Sequence, residues 1–189
     1  MRHSKAMSQA TRLVTAEEFE HFSEDEAYRV ELVRGRLVRM SPVGPVHARI
    51  VPRLIRVLGD YLDDHPVGEI LADCGFKLES DPDTVRGPDV AFVRQERAPE
   101  LQRPGWVRGA PDLVFEVLSP DDRPHEVREK LDDYFRAGVP VVIVVDPEKK
   151  SATIHRLSEA PVVLCGDDAL LEIGEPLAGF RCTLGEIFK

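Results

Sequence analysis

The pattern of hydrophobic and polar positions along the chain predicts a mixture of helices and strands. Apolar residues recur at helical spacing over 46–62 and 124–137, and they form short continuous runs over 112–118 and 141–145. The order strand, helix, strand in this second half is typical of a parallel crossover within a sheet buried on both faces. Pro52 lies inside the first helical stretch and predicts a kink or a later start of that helix.

The residues before the first long helix predict a short capped helix and a hairpin. Thr15 and Glu18 have the spacing of a capping box, and we expect Phe19 and Phe22 to face inward. Residues 28–40 form two short strand-like segments joined by a glycine turn. Further predicted elements are strands over 68–78, 89–93 and 151–157, the last at a sheet edge, a surface loop over 94–111, and short irregular strands after residue 157.

These elements predict an α+β fold within the broad α/β class, with a mixed central sheet flanked by helices and an N-terminal hairpin. We expect a flexible tail over residues 1–12 and one domain over 13–189, because no repeat or linker divides the chain. No apolar run approaches the ~20 residues that span a bilayer, and the first eleven residues are polar. The three cysteines form no C-x-x-C pair. We therefore expect a cytoplasmic protein with free thiols and no membrane partner.

The charge balance argues against a protein that coats nucleic acid. The chain has 34 acidic and 25 basic residues and a net charge of −9, whereas phosphate neutralisation favours clustered lysine and arginine. Two features limit this argument. Six arginines lie between residues 34 and 56, and a bound cation would invert the local charge of an acidic site. The composition therefore weakens a nucleic-acid function without excluding it.

The most informative residue is Glu116, which lies within the otherwise apolar run Leu-Val-Phe-Glu-Val-Leu. An ionised carboxylate buried there without a partner would cost several kcal/mol, so it should be paired, protonated or bound to metal. The alternative is a glutamate at the rim of the sheet beside an arginine. Asp112 lies on the same strand face, where it either assists Glu116 or serves as a turn residue after Pro111.

Two further charged residues are placed where they could join Glu116. Asp89 follows Pro88 and stands at the mouth of a buried strand, a position suited to hard cations that prefer oxygen ligands, although Pro-Asp pairs are also common in turns. Lys130 borders the apolar stripe of the helix over 124–137, one turn from Tyr134. A lysine at a stripe edge usually extends its amine to solvent. The apolar stripe of that helix comprises Val127, Leu131, Tyr134 and Phe135, and Gly138 is its expected stop.

These residues occur in an order that resembles the PD-(D/E)xK nuclease superfamily, and more closely its Uma2-type branch of restriction endonuclease-like proteins. The resemblance covers roughly residues 15–157 and implies a restriction-endonuclease-like fold. The matching segments are the hairpin from Tyr28 to Val38, Ser41-Pro42 with His47, Pro88-Asp89-Val90-Ala91, Asp112 to Pro120, Lys130 and Tyr134 with Ala137-Gly138-Val139, and Asp146-Pro147.

The resemblance also implies roles for individual residues. Asp89 and Glu116 would hold Mg²⁺ or Mn²⁺, with the Val117 main-chain carbonyl as a further ligand. Glu31 resembles the acid that the family brings from an early element, either through water or as a ligand of a second metal, and its alternative is a solvent-facing hairpin residue. His47 matches the family's histidine, and its alternative is a histidine satisfied within the core.

One position departs from the superfamily pattern. The third motif should end in lysine two residues after the acid, but Leu118 stands there. In the Uma2-like pattern the lysine comes from the following helix, which nominates Lys130. The main hypothesis is therefore a metal-dependent phosphodiesterase, a hydrolase that cuts DNA with a metal-activated water. If Lys130 cannot reach the metal, the site would bind without cutting.

Two alternatives accompany this hypothesis. The first is a catalytically inactive module that keeps the nuclease fold, which Leu118 and the acidic charge favour, and which predicts self-association as a homodimer through the hairpin or an exposed sheet edge. The second is a hydrolase of nucleotides or sugars that uses Asp112 and Glu116 as acid and base. Four residues along a strand separate these side chains by ~13 Å, which is too long for either glycosidase geometry, so this alternative ranks last.

Overall fold

The computed structural model describes residues 12–22 and 29–189. The helices are α1 (Ala16–Glu20), α2 (His47–Asp64), α3 (Pro124–Ala137) and α4 (Leu184–Phe188), and a 3-10 helix spans Gln95–Gln102. The strands are β1 (Arg29–Val33), β2 (Arg36–Met40), β3 (Gly68–Ala72), β4 (Phe76–Glu79), β5 (Thr84–Arg86), β6 (Val90–Arg94), β7 (Val107–Arg108), β8 (Leu113–Val117), β9 (Val141–Asp146), β10 (Ser151–Arg156), β11 (Val162–Cys165), β12 (Leu170–Gly174) and β13 (Leu177–Thr183). The expected tail lies outside the described residues apart from residue 12, as does Tyr28 at the start of the expected hairpin.

The central sheet has the strand order β11-β10-β9-β8-β6-β3. Strands β8 and β9 run parallel and are joined through α3, while β8 and β6 pair antiparallel. The sheet is therefore mixed, and the predicted parallel crossover is confirmed. Every residue of β8 is buried, as expected for a strand covered on both faces.

Different elements cover the two faces of the central sheet. On one face α2 packs through Ile50, Leu54 and Leu58 against the sheet, together with β12, β13 and α4. The other face packs against α3 and β4, with Tyr134 and Phe76 in its core. Because Val114 belongs to this second core and successive strand residues alternate in direction, Glu116 also faces α3. The predicted α+β architecture with a helix-flanked mixed sheet is thus confirmed.

A second sheet, with the order β2-β1-β5-β4-β7, contains the predicted hairpin. The hairpin turns at Arg34 and Gly35, whose φ angles of 47° and 72° match the turn that suits twisted two-residue hairpins. The capping box of α1 is present, and Phe19 is buried against Trp106. Phe22 was expected to face inward but is 50% exposed, because α1 ends at Glu20 and the chain has left the helix before Phe22.

The long helices form where the apolar pattern places them. Helix α2 begins at His47, one residue later than expected, and continues through Pro52 to Asp64. Helix α3 matches its predicted bounds of 124–137, and Gly138 ends it with a left-handed φ of 98°.

Other predicted elements differ from the structure. The single strand expected over 68–78 is two strands in different sheets, because the chain bends at Asp73, which has a φ of 50°. The expected loop over 94–111 contains the 3-10 helix and β7. The strand expected at the edge over 151–157 is internal, since β11 pairs along its outer side. The final helix α4 was not predicted, because its five residues are too few for a clear helical period.

Candidate active site

The candidate site is centred on Glu116 in β8. Its side chain is buried on the face that meets α3, with 8% of the residue exposed. The Tyr134 hydroxyl donates to Glu116 Oε1 at 2.6 Å, and Lys130 Nζ donates to Glu116 Oε2 at 3.2 Å. The glutamate is therefore buried and paired, as the sequence predicts, and the rim position beside an arginine is wrong.

Asp89 reaches the end of β8 from the neighbouring strand. It directly precedes β6 and is buried, and its Oδ2 accepts a hydrogen bond of 2.7 Å from the Val117 main-chain N–H. Burial opposes ionisation, but contact with His47 and this main-chain donor lowers the pKa of Asp89 below its ordinary value. Asp89 is thus an ionised carboxylate at the mouth of the sheet.

His47 approaches Asp89 from the first residue of α2. Its Nε2 lies 3.1 Å from Asp89 Oδ2, and because a carboxylate can only accept, Nε2 carries the proton in this contact. The imidazole is buried, and Nδ1 has no hydrogen-bond partner among the described residues. The histidine therefore contacts the candidate metal ligand directly, and the alternative of a fully satisfied core histidine is wrong.

Glu31 enters the same cluster from β1. It is 5% exposed, so the alternative of a solvent-facing hairpin residue is wrong. Glu31 Oε1 lies 3.6 Å from Lys130 Nζ and accepts from the Gly87 N–H at 3.2 Å, while Oε2 accepts from Arg86 Nη1 at 2.8 Å. Burial alone would raise the pKa of Glu31, but the charges of Lys130 and Arg86 hold it below its ordinary value.

Sequence reasoning missed two members of the network, Arg86 and Asp133. Arg86 is buried on β5, and its Nε and Nη2 donate to Asp133 Oδ2 at 2.9 and 2.5 Å. Asp133 is fully buried on α3, three residues after Lys130. An acid at this position of an amphipathic helix is a signal that sequence analysis could have used, since residues 130, 133, 134 and 137 share one helix face.

The charges around Glu116 oppose its ionisation. Lys130 is the cation that Glu31, Asp89 and Glu116 share, and their charges raise its pKa in spite of burial. Burial raises the pKa of Glu116 to about 7; the positive charge of Lys130 lowers this pKa, whereas the negative charges of Asp89 and Glu31 raise it. The Tyr134 pKa is raised by burial and by the Glu116 and Glu31 carboxylates. Glu116 is therefore the carboxylate of the cluster whose charged form is least favoured.

The oxygen atoms of the candidate site can be compared with the ligands that a divalent metal prefers. Among the residues that the structure describes, no three His, Cys, Asp or Glu side chains form a ready metal-binding group. The candidate ligands are instead two carboxylates, Asp89 and Glu116, and the Val117 carbonyl. Because the N–H and C=O of a strand residue point to the same side, this carbonyl faces the same edge of β8 as the N–H that binds Asp89. Mg²⁺ commonly takes one or two carboxylates and keeps several waters, so this oxygen set is of the right type and number for Mg²⁺ or Mn²⁺.

Asp112 lies away from this cluster, at the opposite end of β8. Its Oδ2 accepts a hydrogen bond of 3.0 Å from the Arg94 main-chain N–H, and the side chain also pairs with Arg94 and Arg97 at 3.5 and 3.4 Å. Asp112 therefore stabilises the end of β6 and the 3-10 helix after it. A site that uses Asp112 and Glu116 as an acid–base pair is not supported.

Two general expectations can also be compared with the structure. Cys74, Cys165 and Cys182 are free thiols, and Cys165 is exposed rather than buried. None of the described helices combines the length and the apolar character needed to cross a membrane.

Comparisons with known proteins give a consistent result. Residues 16–185 match the model of a family named Uma2 and described as "Putative restriction endonuclease". The structure is similar to a crystal structure from Anabaena variabilis described as "a putative nuclease belonging to DUF820", with a TM-score of 0.78 and 20% sequence identity. The similarity covers 93% of this chain and 97% of that chain, and at this identity it shows a shared fold. Among curated proteins, none matches the chain.

Proposed function

The chain belongs to the Uma2 family, and from this premise we propose that it is a metal-dependent nuclease that hydrolyses phosphodiester bonds in DNA. The observation that carries the proposal is the contact of 3.2 Å between Lys130 Nζ and Glu116 Oε2. Leu118 occupies the position of the superfamily's usual lysine, and this contact supports Lys130 as its replacement. The proposed chemistry requires two acids and a lysine. Glu116, Asp89 just before the adjacent strand, and Lys130 are the residues proposed for these roles.

In the proposed site Asp89, Glu116 and the Val117 carbonyl would hold Mg²⁺ or Mn²⁺. The bound ion would polarise a phosphate oxygen and lower the pKa of water from ~16 towards 7. His47 fixes the orientation of Asp89 through Nε2. Tyr134 fixes that of Glu116 through its hydroxyl.

Lys130 is the group that distinguishes cutting from binding. Its ammonium would orient the attacking water or stabilise the extra negative charge that develops on the phosphate. Glu31 Oε1 lies 3.6 Å from the same ammonium. The protonated state of Lys130 is maintained by the surrounding carboxylates, so it acts as a permanent positive charge rather than as a base.

The test is nicking of supercoiled plasmid with Mg²⁺ or Mn²⁺, with chelator as the blank. Glu116→Gln keeps the size of the side chain but removes a ligand, and we expect the rate to fall by more than the about 10- to 100-fold typical of losing an outer-shell partner. Glu172→Gln is the matched control, because Glu172 is an exposed strand glutamate in the β12–β13 sheet, and it should nick as the wild type does. Wild-type nicking by Glu116→Gln would refute the assignment.

The inactive binding module remains the second candidate, favoured by Leu118 and by the net charge of −9. It predicts that no divalent metal supports cleavage of any DNA. Calorimetry with Mn²⁺ separates the two ways in which this could arise. Binding that is lost in Asp89→Asn would indicate a metal site without catalysis, and no binding in the wild type would indicate that the acid cluster serves structure alone.

A further inference from the structure

We propose that Arg86 is a positioning residue that fixes the Glu31 carboxylate against Lys130, and that cleavage depends on it although Arg86 is almost completely buried. The inference rests on the proposed nuclease function and adds a residue outside the acid–lysine set. Arg86 is 4% exposed and lies at the end of β5, beside β1, which carries Glu31.

The two carboxylate oxygens of Glu31 have different partners. Oε2 accepts from Arg86 Nη1 at 2.8 Å, which anchors the carboxylate to the sheet. Oε1 accepts from the Gly87 N–H at 3.2 Å and faces Lys130 Nζ at 3.6 Å. Holding one oxygen fixes where the other points, so the Arg86 contact determines how Glu31 is presented to Lys130.

The other side of Arg86 is fixed to the helix that supplies Lys130. Its Nε and Nη2 both donate to Asp133 Oδ2, and Asp133 is one turn of α3 from Lys130. A guanidinium carries its donors in a rigid planar fork. Arg86 therefore connects Glu31 on β1 with α3, the helix that supplies Lys130.

Stability alone is a weak reason for this arrangement. Buried ion pairs pay a large desolvation cost, and replacing them with packed apolar residues is often neutral or stabilising. Here one buried arginine engages two buried acids, Glu31 and Asp133, within a site that already lacks positive charge. The arrangement is better explained by the geometry it imposes on Glu31 and, through Glu31, on Lys130.

The experiment compares Arg86→Lys with Arg136→Lys, the same substitution at a partly exposed arginine that pairs with Glu79 and Asp133. A lysine at position 86 keeps the charge but cannot hold Glu31 and Asp133 together in the fork geometry, so plasmid nicking should fall about 10- to 100-fold in kcat, the range for partners that orient reactive groups, with KM for DNA within about 2-fold. Arg136→Lys leaves the Arg86–Glu31 contact in place and should change kcat by less than about 3-fold. Thermal unfolding of both variants shows whether the activity loss follows stability.

A crystal structure of each variant gives a readout that does not depend on activity. In Arg86→Lys the Glu31 carboxylate should move away from Lys130 while the Lys130–Glu116 contact remains, and in Arg136→Lys Glu31 should stay in place. If Arg86→Lys does not fold, Arg86→Gln combined with Asp133→Asn replaces the pair with neutral groups of similar shape, and it should show the same displacement and loss.

The outcomes separate this inference from the proposed function. If the wild type cuts no DNA, the proposed function fails, and the position of Glu31 in the two variant structures still decides the role of Arg86. An unmoved Glu31 in the Arg86 variants would overturn the inference. Equal kcat losses in Arg86→Lys and Arg136→Lys, in proportion to their loss of stability, would also overturn it.

Discussion

The two ends of strand β8 each carry a carboxylate, and the two carboxylates differ in their partners and burial. Asp112, before the strand, faces two arginines, Arg94 and Arg97, and is partly open to solvent. Each of these arginines also pairs with one further acid. Glu116, near the other end, is buried and shares one lysine with two further carboxylates. Asp112 therefore contacts two cations and keeps access to water, whereas Glu116 is buried beside one shared cation.

Under the proposed function, this difference separates a structural carboxylate from a metal ligand. A partly exposed carboxylate with two arginine partners is already satisfied and has little to gain from a metal ion. A buried carboxylate with too few partners resists ionisation, and the pKa of Glu116, raised to about 7, is the result. The charge that the fold leaves unbalanced at this end of β8 is the charge that a divalent cation would supply.

The largest expected effect comes from removing Lys130, and removal of Arg97 at the other end of β8 is its control. Lys130→Met should reduce nicking by about 100- to 1000-fold, the range for losing one electrostatic donor in an active site. Its Mn²⁺ affinity in calorimetry should stay equal or become tighter, because a positive charge beside the carboxylates has gone. Arg97→Met should nick within about 2-fold of the wild type, since it touches only the Asp112 end. Loss of Mn²⁺ binding in Lys130→Met would contradict this division of roles.

The pH dependence of metal-free stability should differ between the two ends. The folded pKa of Glu116 lies above its unfolded value, so its contribution is fully present below about pH 4.5 and is lost as the pH rises through about 7. Between pH 5 and pH 8 the free energy of unfolding, measured with urea in chelator, should fall by up to about 3 kcal/mol. Glu116→Gln should lose this component of the fall, and Asp112→Asn should retain it. The same fall in Glu116→Gln would show that other groups cause it.

The hydroxyl that supports Glu116 should matter more at high pH. Tyr134→Phe removes the donor to Glu116 Oε1, and at pH 8, where the carboxylate is ionised, we expect a loss of about 1–3 kcal/mol in the free energy of unfolding. At pH 5 the loss should be smaller, because the protonated acid needs this donor less. Tyr61→Phe, which removes a hydroxyl bonded to the Ala178 carbonyl, is the matched control. Its cost should be the same at both pH values, and an equal pH dependence would contradict the interpretation.

The smallest expected effect is at the exposed end of the strand. Asp112→Asn weakens partly exposed ion pairs, so unfolding in urea should show a loss of about 1 kcal/mol or less. Nicking should be unchanged, because the acid stabilises the end of β6 and the 3-10 helix after it, away from the candidate site. A loss of cleavage comparable with that of Glu116→Gln would return Asp112 to the site.

The sequence was most informative where a residue conflicts with its surroundings. Glu116 in an apolar run and the periodic helix α3 could both be predicted, because each depends on local pattern. The resemblance nominated Lys130, but its distance from Glu116 depends on how α3 packs on the sheet. Arg86 could not be found from sequence, because β5 is only three residues long and its partners Glu31 and Asp133 lie far away along the chain.

The same limit explains the misplaced strands. The bend at Asp73 that sends β3 and β4 into different sheets is a backbone conformation that aspartate adopts only in some contexts. Strand β11 was missed as the sheet edge because its side chains are largely exposed and carry little periodic signal. Long, half-buried elements are encoded locally, whereas edges and crossings are decided by tertiary packing.

The placement of Lys130 and Tyr134 on one helix has a consequence for the order in which the site is assembled during synthesis. The acids Glu31, Asp89 and Glu116 precede α3 in the chain, so a growing polypeptide carries the negative groups before it has made their lysine and hydroxyl partners. Both partners are added together when α3 is made, before strands β9–β11 of the same sheet. The proposed activity therefore requires a chain that extends at least through α3.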